Sequence, residues 1–219
     1  MVIKAAIFDW DGLLADTEPC WSQADQKWLA NNHVTYSDEL KSELTGRGQV
    51  DCVRTLMEFG HLDLPVDEAI EQRLEALDDI YKTCGDILLP GALDIVRNFY
   101  EDEYFTGIAS GSSQRTLDSL VKKQRLDRFF NEIMSSDQVS NGKPAPDVYL
   151  AVAKRLNVNP SSCLVFEDAQ NGIEAAKSAG MYCVAIPNQY TIDQDHSKAD
   201  LILPNLNAFK LECIMEYFP

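Results

Sequence analysis

The chain has 219 residues, with 35 Asp and Glu against 19 Lys and Arg, a formal net charge of −16. At 45% hydrophobic and 25% charged it has the composition of a folded globular protein rather than a disordered one. No basic stripe is available to neutralise a nucleic-acid backbone, no apolar run approaches the roughly 18 residues that span a bilayer, and the first residues do not read as a signal peptide.

Residues 3–8 form a short apolar run that stops at Asp9 and predict a first strand. From about residue 18 to 84 the chain reads as helical, with a turn near Gly60-His61 and Pro65. Within it, Ile70, Leu74, Leu77 and Tyr81 mark one face of a helix over residues 66–82. Trp21 and Trp28 share a helix face and read as core packing. The pattern changes at Leu88-Leu89-Pro90-Gly91. Beyond it helices are expected over 92–100, 114–124, 147–156 and 172–179, the last stopped by Gly180. Strands are expected over 104–109, 132–135, 163–166, 181–186 and 201–203.

Such alternation builds βαβ units, so the expected fold is α/β, a three-layer Rossmann-like parallel sheet core with an inserted all-helical cap domain. The core takes residues 1–16 and 86–219 and the cap residues 17–85. Two chain crossings, near Asp16-Thr17 and Gly85-Asp86, form a double hinge that suits a lid. The six cysteines include no CxxC pair and the three histidines are scattered. That argues against a zinc centre and for reduced thiols in a cytoplasmic protein.

In an open parallel sheet, ligands bind beyond the carboxyl ends of the strands. The residues found there are Asp9-Trp10-Asp11-Gly12, Ser110-Gly111-Ser112-Ser113, Asn141-Gly142-Lys143-Pro144 and Glu167-Asp168. Four carboxylates at one rim raise each other's pKa unless a cation is shared. A hard divalent ion with oxygen ligands, Mg²⁺ before Ca²⁺, meets that need. Lys143 adds a point charge for an anionic oxygen, and a hydroxyl and an exposed carboxylate nucleophile complete a phosphoryl-transfer site.

Phe8-Asp9-Trp10-Asp11-Gly12, Ala109-Ser110, Gly142-Lys143-Pro144-Ala145-Pro146-Asp147 and Phe166-Glu167-Asp168-Ala169-Gln170-Asn171-Gly172 resemble the four motifs of the haloacid dehalogenase superfamily. Their order and spacing are similar to the branch of β-phosphoglucomutase and the sugar-phosphate phosphatases, and the resemblance covers essentially the whole chain. It implies that Asp9 attacks phosphorus and forms an aspartyl-phosphate, while Asp11 protonates the leaving oxygen and later activates water. Ser110 would hydrogen-bond the phosphoryl group and Lys143 would offset its charge. Asp168, Glu167 (directly or through water), the Asp9 carboxylate and the Asp11 backbone carbonyl would hold Mg²⁺. Backbone N–H groups around Gly12 and Gly111 would take phosphate oxygens. In the cap, Arg47 is a candidate substrate-anion contact, with an ordinary surface arginine as the alternative.

Asp11 argues against a dehalogenase, which needs only the first aspartate. The absence of lysine between Leu13 and Ala24 argues against a phosphonatase. Glu18-Pro19-Cys20-Trp21 lacks the histidine that sugar-phosphate mutases carry there, which favours hydrolysis over transfer to a second hydroxyl. The resemblance therefore implies a Mg²⁺-dependent phosphatase of small phosphorylated metabolites, and nothing in the sequence demands more than a monomer. A phosphomutase is the alternative, and a non-catalytic metabolite-binding protein is disfavoured by the intact motifs. The acidity does not stand in the way. Residues 17–85 hold 14 acidic and 6 basic side chains, largely on a solvated face, and metal with Lys143 would reverse the local field at the site.

Overall fold

The computed structural model describes residues 2–44 and 49–218. Its sheet has six parallel strands in the order β3-β2-β1-β4-β5-β6. They are β1 (Ala5–Phe8), β2 (Phe105–Ser110), β3 (Glu132–Ser135), β4 (Cys163–Glu167), β5 (Tyr182–Ala185) and β6 (Leu201–Ile202). β1 lies in the interior of the sheet, Ile7 pairing with Gly107 on one side and Val165 on the other. Both faces of such a strand are covered, so all four of its side chains are apolar and buried. One face carries Phe8, stacked on Phe166 at 5.0 Å and edge-on to Phe99 at 5.9 Å. The opposite face carries Ala5, Ile7 and Val165, packed with Val148, Val152, Ile173 and Ala176.

The chain divides into two units, Met1–Asp16 with Ile87–Pro219, and Thr17–Asp86. In the α/β unit the helices are α5 (Ala92–Glu101), α6 (Gln114–Lys123), α7 (Asp147–Leu156) and α8 (Gln170–Ser178), with a terminal turn α9 (Ile214–Tyr217). Differences from the expected bounds have local causes. Ile3 is buried ahead of the first strand, while the Lys4 N–H donates to Ser162 outside the ladder. Helix α8 starts two residues early because the Ala169 carbonyl accepts from Ile173 N–H. The terminal turn has too few residues to show a period, and it is followed by buried Phe218, 5.2 Å from the Tyr182 ring.

The other unit contains α1 (Glu18–Asn31), α2 (Asp38–Leu44), α3 (Gln49–Gly60) and α4 (Val66–Thr83). On α4 the buried side chains are Ala69, Arg73, Ala76, Leu77 and Tyr81. Ile70 and Leu74, expected on the core face, are only half-buried. The face is turned because a charged residue occupies it. Arg73 is accepted there by Asp25 of α1, with Nε–Oδ1 at 2.6 Å and Nη2–Oδ2 at 3.2 Å. Half-buried Trp21 lays its ring 4.3 Å from the same guanidinium. Trp28 is buried and donates to Gln72 at 3.0 Å, consistent with its expected packing role. No helix among the described residues is long and apolar enough to cross a membrane.

Candidate active site

From β1 the chain builds β2 and β3 to one side of the sheet and then β4, β5 and β6 to the other. That reversal leaves a crevice between the carboxyl ends of β1 and β4, the place where open α/β sheets bind ligands. Asp9 follows β1, and its N–H donates to Phe166 of β4 at 3.0 Å. Glu167 ends β4 and Asp168 comes next. Between them Gly12 turns the chain with φ +84°, its N–H donating to Ala15 at 2.8 Å. Only glycine fits: a Cβ there would lie 2.5 Å from Asp168 Oδ2.

Lys143 arrives from the loop before α7 and joins the two strand ends. Its Nζ donates to Asp9 Oδ1 at 2.5 Å and to Glu167 Oε1 at 2.6 Å, and all three side chains are at most 8% exposed. Tyr149 of α7 donates its hydroxyl to the same Glu167 oxygen at 2.6 Å. The other, Oε2, accepts from the N–H groups of Asp168 and Ala169. Gly172 of α8 leaves room for this carboxylate, since a Cβ there would fall 1.7 Å from Oε1. Asp11 faces the end of β2. Its Oδ2 accepts from Ser110 Oγ at 2.9 Å and from Ser112 Oγ at 2.8 Å. Ser135 of β3 donates to the Ser112 carbonyl at 2.6 Å and steadies that loop.

The acids crowd one another. Burial pushes the Asp9 carboxyl up to about 8, Glu167 and Asp11 push the same way, and Lys143 opposes them only in part. Burial, Glu167 and Asp9 likewise hold Asp168 well above the usual carboxylate range. For Lys143 burial favours the neutral amine, but Asp9 and Glu167 outweigh it and keep the ammonium. Asp9, Glu167 and Asp168 each offer an oxygen, and these lie within 4.8 Å of one another. Buried hard donors whose charge is under-compensated suit a divalent cation.

The sequence-derived residues Asp9, Asp11, Gly12, Ser110, Lys143, Glu167 and Asp168 are thus brought together. Two details differ from expectation. Asp9 is 5% exposed, so the carboxylate read as exposed is buried under its neighbours. The Asp11 side chain stands apart from the three-carboxylate group and bonds the two serines instead. Gly111 is exposed, with nothing within 4 Å of where a side chain would start. Arg47 lies outside the described residues. Sequence reading missed Ser112, Tyr149 and Asn188. Ser112 had a signal, standing two positions beyond Ser110 and so returning toward the same side.

Residues 6–186 match the family model described as haloacid dehalogenase-like hydrolase. The chain is 34% identical over 218 residues to (DL)-glycerol-3-phosphatase 1, mitochondrial, of Arabidopsis thaliana, spanning 96% of this chain and 72% of that protein. It is 32% identical over 216 residues to a probable pseudouridine-5'-phosphatase of Drosophila melanogaster, spanning 96% and 93%. Among solved structures, β-phosphoglucomutase of Clostridium difficile superposes with a TM-score of 0.80 at 26% identity, covering 99% of this chain and 97% of that one. The chain belongs to the haloacid dehalogenase-like hydrolase family. Within it, the protein is an enzyme of the phosphoric monoester hydrolase kind.

Proposed function

We propose that the protein hydrolyses small phosphorylated metabolites, sugar phosphates or similar monophosphates, with Asp9 as nucleophile and Mg²⁺ as cofactor. The observation that carries this reading is Lys143 Nζ set between Asp9 and Glu167 inside a buried group of three carboxylates, with Asp11 two residues along the same turn. Asp9, Glu167, Asp168 and the Asp11 carbonyl would hold Mg²⁺, which when bound supplies positive charge to these acids and to phosphate oxygens. Lys143 anchors the Asp9 carboxylate from its Oδ1 side and adds its charge for the phosphoryl group.

An oxygen of Asp9 then forms a bond to phosphorus while the bond to the leaving oxygen breaks, and Asp11 gives its proton to that oxygen. In the second half water attacks phosphorus, its proton passes to Asp11, and the Asp9–phosphorus bond breaks to release phosphate. Ser110, turning its single hydroxyl hydrogen from Asp11 to the incoming group, hydrogen-bonds the phosphoryl group, and backbone N–H groups around Gly111 take its oxygens, the Gly12 N–H being held by Ala15. Ser112, donating to Asp11 Oδ2, keeps that side chain in place for this proton traffic while Ser110 serves the phosphoryl group. Arg47 is the proposed contact to the rest of the substrate. Residues 17–85 act as the cap. Every residue invoked belongs to one chain, so a monomer suffices. The stretch Glu18-Pro19-Cys20-Trp21, without histidine, favours water over a second sugar hydroxyl as acceptor.

The test is phosphate release from a panel of monoesters that includes glycerol 3-phosphate, pseudouridine 5'-phosphate and hexose phosphates. Wild type releases phosphate with Mg²⁺ and stops with a chelator. Asp9→Asn loses activity by on the order of 10⁴-fold, as removal of a covalent nucleophile does. Retained turnover in Asp9→Asn would sink the nucleophile assignment, and turnover unaffected by chelation would sink the metal.

A further inference from the structure

Beyond the four motifs, one side chain joins two of the pieces they contribute. Asn188 stands in the segment that leaves β5, 20 residues after Asp168. Its Nδ2 donates to Asp168 Oδ2 at 2.8 Å and to the Gly12 carbonyl at 2.9 Å. A carboxamide nitrogen has two hydrogens, so both are used. Its own orientation is set in turn. Asn188 Oδ1 accepts from Tyr190 N–H at 2.7 Å, and the Asn188 N–H donates to Thr191 Oγ1 at 3.0 Å. The amide therefore cannot flip without losing bonds at both ends.

The same segment reaches the Asp168 turn through three more contacts. His196, buried, places Nε2 3.0 Å from the Asp168 carbonyl. Gln170 N–H donates to Gln194 Oε1 at 2.8 Å, and Asp195 N–H to Gln170 Oε1 at 3.3 Å. The fit around Gly12 is tight, since a Cβ there would stand 2.9 Å from Asn188 Nδ2 as well as against Asp168. A carboxylate buried among other acids has few partners to fix its torsion. Asn188 supplies one donor to a single Asp168 oxygen and ties that oxygen to the turn carrying Asp9 and Asp11.

We propose that Asn188 is a positioning residue, holding the Asp168 carboxylate in the orientation that receives the divalent cation and fixing its place relative to the Asp9–Gly12 turn. This rests on the reading of Asp168 as a metal ligand. Groups that orient a ligand from behind typically change metal affinity by about 10- to 100-fold when removed. Asn188 touches neither the nucleophile nor the proton carrier, so its loss acts through the metal.

The experiment measures Mg²⁺ affinity of the full chain by titration calorimetry, beside kcat and KM over a series of Mg²⁺ concentrations. The variants are Asn188→Ala, the similarly shaped Asn188→Leu, Asp168→Asn and Thr191→Val. The last breaks the bond that holds the segment but leaves the Asn188 side chain its two acceptors. Expected are wild-type Mg²⁺ binding lost in Asp168→Asn, and binding weakened about tenfold or more in both Asn188 variants. Their activity recovers as Mg²⁺ is raised, while substrate KM at saturating Mg²⁺ stays near wild type. Thr191→Val lowers the melting temperature without changing Mg²⁺ affinity. If Asp168→Asn loses Mg²⁺ but the folded Asn188 variants keep it, the positioning role is overturned and the metal reading stands. Equal Mg²⁺ weakening in Thr191→Val would assign the effect to the segment's fold and overturn the role of the amide. Should Asp168→Asn bind Mg²⁺ as wild type does, the metal reading fails and the inference fails with it.

Discussion

Each unit buries ionisable side chains, and they do so to opposite ends. In the helical unit Arg73 and Asp25 form a closed pair, both forks used and both side chains at most 5% exposed. In the α/β unit Asp9, Glu167 and Asp168 share one lysine, and two of these acids are driven far above their usual range. The first gives its carboxylate a bidentate partner, although burial still holds Asp25 above its usual range, whereas the second spreads one lysine over three acids and is short of positive charge. Buried charge completed within the chain is structure, and buried charge left under-compensated is a site for something that arrives.

The largest expected effect tests the closed pair. Arg73→Ala leaves Asp25 buried and alone, which costs about 3–5 kcal/mol of stability. Replacing both partners by apolar residues, as in Arg73→Met with Asp25→Leu, recovers most of that loss. Thermal and denaturant unfolding measure it. Turnover per folded molecule and Mg²⁺ affinity should stay near wild type. A fall in kcat at full folding would break the comparison by giving the pair a chemical role.

Gly172→Ala is the mirror experiment in the α/β unit. The added methyl must displace a carboxylate that Lys143, Tyr149 and two N–H groups hold in place. Alanine itself suits a helix, so much of the cost falls on geometry rather than folding. Activity should drop about 10²-fold, the scale of a misplacement of roughly 1 Å. Unchanged turnover would mean that Glu167 rotates away freely and that its pinned position is immaterial.

These two positions also mark how far the sequence could be read. Gly172 lay within a motif, and the strand-end acids were legible because a parallel sheet delivers whatever follows its strands to one rim. The alternation after Leu88 gave the order of elements, since each strand is short, apolar and punctuated. Arg73 was illegible. Hydropathy turns a charged residue outward, and only Asp25, 48 positions away, reverses that. Asn188 was illegible for a related reason: it carries no periodicity and no charge, and its two partners are fixed by folding alone. Ser112 and Tyr149 were within reach, one by alternation beyond Ser110 and the other by its helix leaving the Lys143 loop.

Two carboxyls, one in each unit, should also respond oppositely to pH. Asp9 keeps its proton up to about 8 in the folded metal-free protein, against an ordinary 3.8. The folded state then binds more protons than the unfolded one between about pH 4 and 8, so this contribution to stability falls as pH rises through that window. In the helical unit Asp79, bonded by Lys27 and Lys82, is lowered to about 2, so its contribution is present above about 3.8 and is lost as pH falls toward 2. Melting in chelator should be lower at pH 8 than at pH 5. Asp9→Asn should flatten that difference, and Mg²⁺ should raise the pH 8 value. A metal-free protein more stable at pH 8 than at 5 would contradict the raised carboxyls.

The smallest effect separates burial from geometry. Lys27 and Asp79 lie 2.6 Å apart, the same as Arg73 and Asp25, yet their side chains are 39% and 49% exposed against 5% and 3%. Water and salt screen the exposed pair, ordering two flexible chains offsets its attraction, and Lys82 remains at 2.7 Å to serve Asp79 alone. Lys27→Ala should therefore leave the pH 7 melting temperature within error of wild type. A difference should emerge only between about pH 2 and 4, where the Asp79 proton is at stake, and it should fade in about 1 M salt. A loss at pH 7 approaching that of Arg73→Ala would show that contact distance, rather than exclusion from water, sets what these ion pairs are worth.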